Sequence, residues 1–165
     1  MENTIFESAR KLETAGRFAE AIACYYRHLG SHPSDAAAIN NIANCHLSLG
    51  ELHLAESCFR KAVELDPSTF LYSRNLGLVL ARLKNLPQAT IELERALCLN
   101  RDDAEVHFLL AAVLGERDRP WIAHPYIMKA IRLKPLCWQA WCLLVINVIT
   151  GVIFTLGVAQ PNYEL

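Results

Sequence analysis

The chain has 165 residues, with 16 basic and 17 acidic side chains and a formal net charge of -1. A hydrophobic fraction of 53% with 20% charged residues excludes intrinsic disorder, and seven Gly and seven Pro exclude collagen-like or low-complexity classes. The near-neutral balance argues against a nucleic-acid binder, and the length fits one domain better than a catalytic domain with a separate regulatory one.

The opening residues, MENTIFESARKLE, carry charge from the second position and hold no apolar secretory core, so the front is expected to stay in the cytosol. A repeat then dominates the chain. Small residues recur 34 apart at Ala9, Ala43, Gly77 and Ala111, and again at Ala21, Ala55, Ala89 and Ala123. Large apolar residues follow four positions later at Tyr25, Phe59, Leu93 and Ile127. Ala62, Ala96 and Ala130 come three further on, with His28 in that place of the first copy. Pro33, Pro67 and Pro135 close three copies, and Arg101 stands where the remaining Pro would be.

Each copy reads as a helical hairpin. In the second, Ile39, Ile42 and Leu49 form the apolar stripe of a first helix, and Gly50 permits the turn. Leu54, Cys58, Phe59, Ala62 and Leu65 are expected on one face of the second helix, which Asp66-Pro67 stops. Small side chains belong where two helices cross closely. A single hairpin cannot bury its apolar face, so neighbours must stack.

Leu76-Gly77, together with Ala55, Phe59, Ala62 and Pro67, resembles the pattern of the tetratricopeptide repeat (TPR) family. The resemblance covers residues 2–137 as four units, 2–35, 36–69, 70–103 and 104–137. It implies an all-α fold: a right-handed TPR solenoid of helical hairpins, followed in this chain by a C-terminal hydrophobic helix. The departures are His28 in place of Ala, and Pro120 and Pro125 in the last unit, where Pro125 removes an amide and threatens to kink the second helix.

In that family the first helices line a concave groove. Helical spacing nominates Asn3, Phe6, Arg10, Asn40, Asn44, Leu47, Arg74, Leu78, Phe108 and Ala112 for it. Arg10, Asn40, Asn44, Arg74, Asn75 and Phe108 are the residues expected to hold a protein partner through amide, charge and apolar contacts. The alternative is that Asn and Arg merely keep an exposed face soluble. A chaperone-type carboxylate clamp is not expected, because Asn40, Glu105 and Leu109 stand where basic groups are needed. An asparagine ladder would use Asn41 and Asn75, but Glu7 and Leu109 interrupt it.

Catalytic motifs are missing from the sequence: no G-x-S-x-G, no Walker-type loop and no H-E-x-x-H. His28 and His32, or Cys45-His46 with His53, lack the usual ligand spacing of a metal site, and the six cysteines show no CxxC pair. No enzyme activity, cofactor or metal is expected.

From Pro135 to Leu165 the sole charged side chain is Glu164. Residues 140–159 are uncharged, about the 20 needed to cross a bilayer core. Trp138 and Trp141 flank one end and Tyr163 the other, and Lys129, Arg132 and Lys134 precede the stretch. The expectation is a transmembrane helix over 138–160, with Trp138, Trp141, Leu144, Ile149, Ile153 and Leu156 as anchoring residues and 161–165 as a short tail. The TPR domain would then face the cytoplasm of a single-pass membrane protein, an assembly or recruitment scaffold binding a cytosolic protein or membrane complex. The alternative is a soluble chaperone or adaptor whose last helix caps the solenoid or is covered by a partner. A cap needs a polar outer face, and Val145, Ile146, Val148, Ile149, Val152 and Ile153 leave none.

Overall fold

The computed structural model describes residues 2–116, 120–136, 141–146 and 148. Eight helices are found among them: α1 (Glu2–Thr14), α2 (Phe18–Ser31), α3 (Ala36–Ser48), α4 (Leu52–Leu65), α5 (Phe70–Arg82), α6 (Leu86–Leu99), α7 (Ala104–Glu116) and α8 (Pro120–Leu133). Odd-numbered helices start at Glu2, Ala36, Phe70 and Ala104, and even-numbered ones at Phe18, Leu52, Leu86 and Pro120, so both series advance by 34. The helices fall into two compact units, Met1–Leu99 with α1 to α6 and Asn100–Leu165 with α7 and α8.

In the first unit each hairpin closes over small side chains. Ala9, Ala21, Ala43, Ala55 and Ala89 are wholly buried, and Tyr25, Phe59 and Leu93 fill the space beside them. Gly77 marks the tightest approach. A Cβ placed there would lie 2.6 Å from Leu93 Cγ and 2.8 Å from its Cδ2. The loop inside each hairpin repeats as well. Gly16 (φ 74), Gly50 (φ 79) and Lys84 (φ 62) occupy one register in the left-handed region. The amides of Arg17, Glu51 and Asn85 donate to the carbonyls of Leu12, His46 and Leu80, each at 2.9 Å. Lys84 adopts the geometry without the freedom that glycine brings to it.

The apolar stripe is narrower than the spacing predicts. Ile39, Ile42, Phe59 and Ala62 are buried, but Leu49, Leu54 and Leu65 are 45%, 51% and 40% exposed. Leu49 follows the end of α3 as its C-cap, beyond the helical register. In α4 the buried face is Ala55, Phe59, Ala62 and Val63, and Leu54 and Leu65 sit to its side.

In the second unit, α7 buries Val106, Leu110, Ala111, Val113 and Leu114, and α8 buries Ala123, Ile127, Ala130 and Ile131. Pro125 lies inside α8 without ending it. The proline is on the exposed side, where water can satisfy the carbonyl that loses its amide partner.

Of the residues expected to anchor the chain in a membrane, Trp138, Ile149, Ile153 and Leu156 lie outside the described residues. Trp141 is exposed and donates its Nε1–H to the carbonyl of Pro135 at 2.9 Å, and Leu144 is half-buried. No helix among the described residues is long and apolar enough to cross a membrane, so the expected spanning helix is not found in that part of the chain.

The crossing at Gly77 gives a direct test. Gly77→Ala gains helix propensity of about 0.5–1 kcal/mol but overpacks fully buried Leu93, which costs about 1–3 kcal/mol. Urea denaturation should show net destabilisation, and in a Leu93→Ala background the same substitution should become stabilising.

Candidate functional site

Six polar side chains of unit one are linked by hydrogen bonds. They join into a chain that crosses three hairpins. The Nε and one terminal nitrogen of Arg74 lie 3.4 and 3.3 Å from Asn75 Oδ1. Asn75 Nδ2 donates to Asn40 Oδ1 at 3.0 Å, and Asn40 Nδ2 lies 3.4 Å from Asn41 Oδ1. Asn41 Nδ2 donates to the Tyr25 hydroxyl at 3.2 Å, which donates to Glu13 Oε2 at 2.8 Å. Links between helices have ordinary lengths, whereas those between sequence neighbours are long and weaker.

The physical origin of each member is local. Tyr25 is wholly buried, so its hydroxyl must find partners, and α1 supplies Glu13 while α3 supplies Asn41. Burial, reinforced by Glu13, pushes the phenol well above its ordinary pKa and keeps it a protonated donor. Burial also pushes the neighbouring Cys45 thiol up to about 12, with the Glu13 charge adding to it. A thiol of that kind is a packing group and not a nucleophile. Cys24, Cys58, Cys98 and Cys142 are likewise free thiols, and Cys137 lies outside the described residues.

The residues expected to hold a partner separate into four environments. Asn40 and Asn75, each 8% exposed, are bonded to one another. Asn44 and Arg74 are half-buried, and Arg10 is exposed and paired with Glu7 at 3.3 Å. Phe108 belongs to unit two, where it lines a recess of about 500 Å³ with Asp102, Asp103, Ala104, Glu105, Leu109 and Lys134. Asp102 is held by Lys129 at 2.8 Å. Spacing did not nominate Glu13 and Tyr25. A tyrosine at a position that demands full burial was the available signal, since a buried hydroxyl needs a partner.

A second polar cluster joins α2 to α3. His28 takes the place usually held by Ala, and its Nε2 lies 2.8 Å from Asp35 Oδ2. Asp35 Oδ1 accepts the amides of Ala37 and Ala38 at 2.9 and 3.1 Å, capping α3. Burial alone would raise the Asp35 carboxyl, but His28 and the two amides outweigh it and hold the group below its usual value. The His28 and His32 rings are stacked with centroids 4.7 Å apart. No set of three or more His, Cys, Asp or Glu side chains suited to a metal ion occurs among the described residues.

This architecture defines a helical-hairpin repeat domain. The family described as the Cilia and flagella-associated protein 70 middle TPR-like domain matches residues 7–134, and the chain belongs to that family. A curated relative, "Protein O-mannosyl-transferase F38B6.6" of Caenorhabditis elegans, is 29% identical over 89 residues. That match takes in 54% of this chain but 13% of the relative, so the chain spans a small part of that protein's length.

Solved structures agree on the fold. MamA is 22% identical with a TM-score of 0.82, covering 88% of this chain and 85% of its own. YrrB, described as a TPR protein with an unusual peptide-binding site, is 22% identical with a TM-score of 0.77, covering 89% and 76%. The first TPR of Spaghetti (RPAP3), bound to the HSP90 peptide SRMEEVD, is 25% identical with a TM-score of 0.69, covering 71% of this chain and 93% of its own.

The Asp35 cap has a pH signature. Its carboxyl is depressed on folding, so its contribution is complete above the unfolded-chain value of about 3.9 and is lost as pH falls through the lower folded value. Asp35→Ala should cost about 1 kcal/mol at neutral pH through the lost cap. Asp35→Asn should retain most of the cap while flattening the acid limb of stability, measured by urea denaturation between about pH 6 and 2.

Proposed function

We propose that the chain is a non-enzymatic interaction scaffold that holds an extended segment of a partner protein on the first-helix face of unit one. The observation that carries this reading is the polar row from Arg74 to Asn41, with half-buried Asn44 and exposed Arg10 also carried on first helices. An asparagine amide offers one donor group and one acceptor, which is what a peptide main chain needs. Membership of a TPR-like family supports it, as do the neighbours described with a peptide-binding site or a bound peptide. The partner segment is expected to lie along the face, not to end in a clamped carboxylate, because Asn40, Glu105 and Leu109 occupy positions that a clamp fills with bases.

The full-length chain can be used to select a binder from a random library of dodecapeptides. Asn44→Ala with Arg74→Ala should weaken the selected peptide by about 5- to 30-fold, equivalent to ~1–2 kcal/mol, with melting nearly unchanged. Unchanged affinity would place the contact on the second helices, the loops or the tail.

A second proposal concerns location. The uncharged stretch 140–159, preceded by Lys129, Arg132 and Lys134, with Trp138 and Trp141 at its front end and Tyr163 after it, supports a membrane tether with the repeats on the cytoplasmic side. Full-length protein should float with liposomes after carbonate washing, and a chain ending at Ala140 should not. Protein that is monodisperse in detergent-free buffer, with residues 140–159 shielded from protease, would establish the capping alternative.

A further inference from the structure

We infer that Tyr25 and Glu13 are positioning residues that set the orientation of the Asn41, Asn40 and Asn75 amides on the proposed peptide-binding face. This rests on the peptide reading above and adds residues that make no contact with the partner themselves.

The argument comes from donor and acceptor counting along the chain. Arg74 has only donors, so the Asn75 atom beside it must be the amide oxygen. Asn75 therefore turns its nitrogen to Asn40, which must answer with oxygen and turn its own nitrogen to Asn41. From the far end, an ionised Glu13 has only acceptors, so the Tyr25 hydroxyl spends its proton there. That hydroxyl must then accept from Asn41, which places Asn41 nitrogen toward Tyr25 and its oxygen toward Asn40. The two ends, one cationic and one anionic, force the same direction on every amide between them.

An unanchored asparagine can turn its amide over and exchange donor for acceptor. Here such a turn at any one residue leaves two like groups facing each other. Asn40 and Asn41 each keep one N–H and one oxygen lone pair outside the network, whereas Asn75, whose oxygen takes two Arg74 N–H groups, keeps one N–H; their arrangement is set before a ligand arrives. Preorganisation of this kind removes an ordering cost from binding. The links of 3.3–3.4 Å beside Arg74 and between Asn40 and Asn41 are the weaker ones, so Tyr25 and Glu13 fix Asn41 directly and act on Asn40 and Asn75 through the Asn40–Asn41 link, in concert with Arg74 at the other end.

The test uses the full chain and the dodecapeptide selected on the wild-type protein. Tyr25→Phe keeps the ring and removes the relay. It should weaken the peptide by about three- to tenfold, the range of one lost hydrogen bond. In the free protein, the side-chain amide resonances of Asn40 and Asn75 should shift and exchange faster with water, although the hydrogen bonds of Tyr25 run to Asn41 and Glu13. Glu13→Leu should do the same, which keeps the inference testable if Tyr25→Phe fails to fold. Glu13→Gln, which still offers an acceptor oxygen, should restore most of the affinity. Unchanged Asn75 resonances together with unchanged peptide affinity in folded Tyr25→Phe would overturn the inference. Failure to select any peptide would instead defeat the peptide reading, and the resonances of the free protein would still decide the direction of the network.

Discussion

Everything in unit one depends on how closely two helices of a hairpin can approach. Ala9, Ala21, Ala43, Ala55 and Ala89 are buried without remainder, and at Gly77 even a methyl group would meet the body of Leu93. Dispersion is short-ranged, so a gap of half an ångström at such a crossing already forfeits a large part of the contact energy. Close approach also sets the rotation of each helix about its own axis. That rotation decides which residues face the neighbouring hairpin and which face outward.

The polar chain follows from this geometry. Asn40 and Asn75 are 35 residues apart, one more than the repeat, and their side chains meet because successive hairpins stack with the registers of α3 and α5 fixed. A slip of one residue in either helix would turn an amide through about 100° and break the bond. The Asn75 N–H and the Asn40 oxygen would then each lose a partner in a nearly buried place, which costs more than the bond itself contributes. The network thus reports register as much as it adds stability, and it ties three hairpins together through α5, α3 and Tyr25 of α2.

The likeness to other TPR proteins extends to architecture, and the structure adds a pattern particular to this chain. His28 stands in a column otherwise filled by Ala and turns that place into a polar joint, reaching Asp35 at the cap of α3. The first hairpin is therefore fastened to the second by a histidine–carboxylate pair as well as by packing. In the second unit a different device holds the corner, where Lys129 reaches Asp102. Neither arrangement requires a ligand, and both explain polar residues that a search for chemistry would single out.

The sequence alone determined the helical class, the 34-residue period and the place of each small residue at a helix crossing, because all three rest on local spacing. It also marked Asn40, Asn44, Arg74 and Asn75 as residues of interest, since polar side chains on a first helix stand out against an apolar repeat. It overstated the apolar stripe at Leu49, Leu54 and Leu65, because hydropathy does not reveal where a helix ends or how wide a face its neighbour covers. Which amide meets which, and that Tyr25 and Glu13 complete the row, only the tertiary structure decided. Residues as far apart as Glu13 and Asn75 enter one hydrogen-bonded chain solely through the stacking of hairpins, and no spacing within a single helix encodes that meeting.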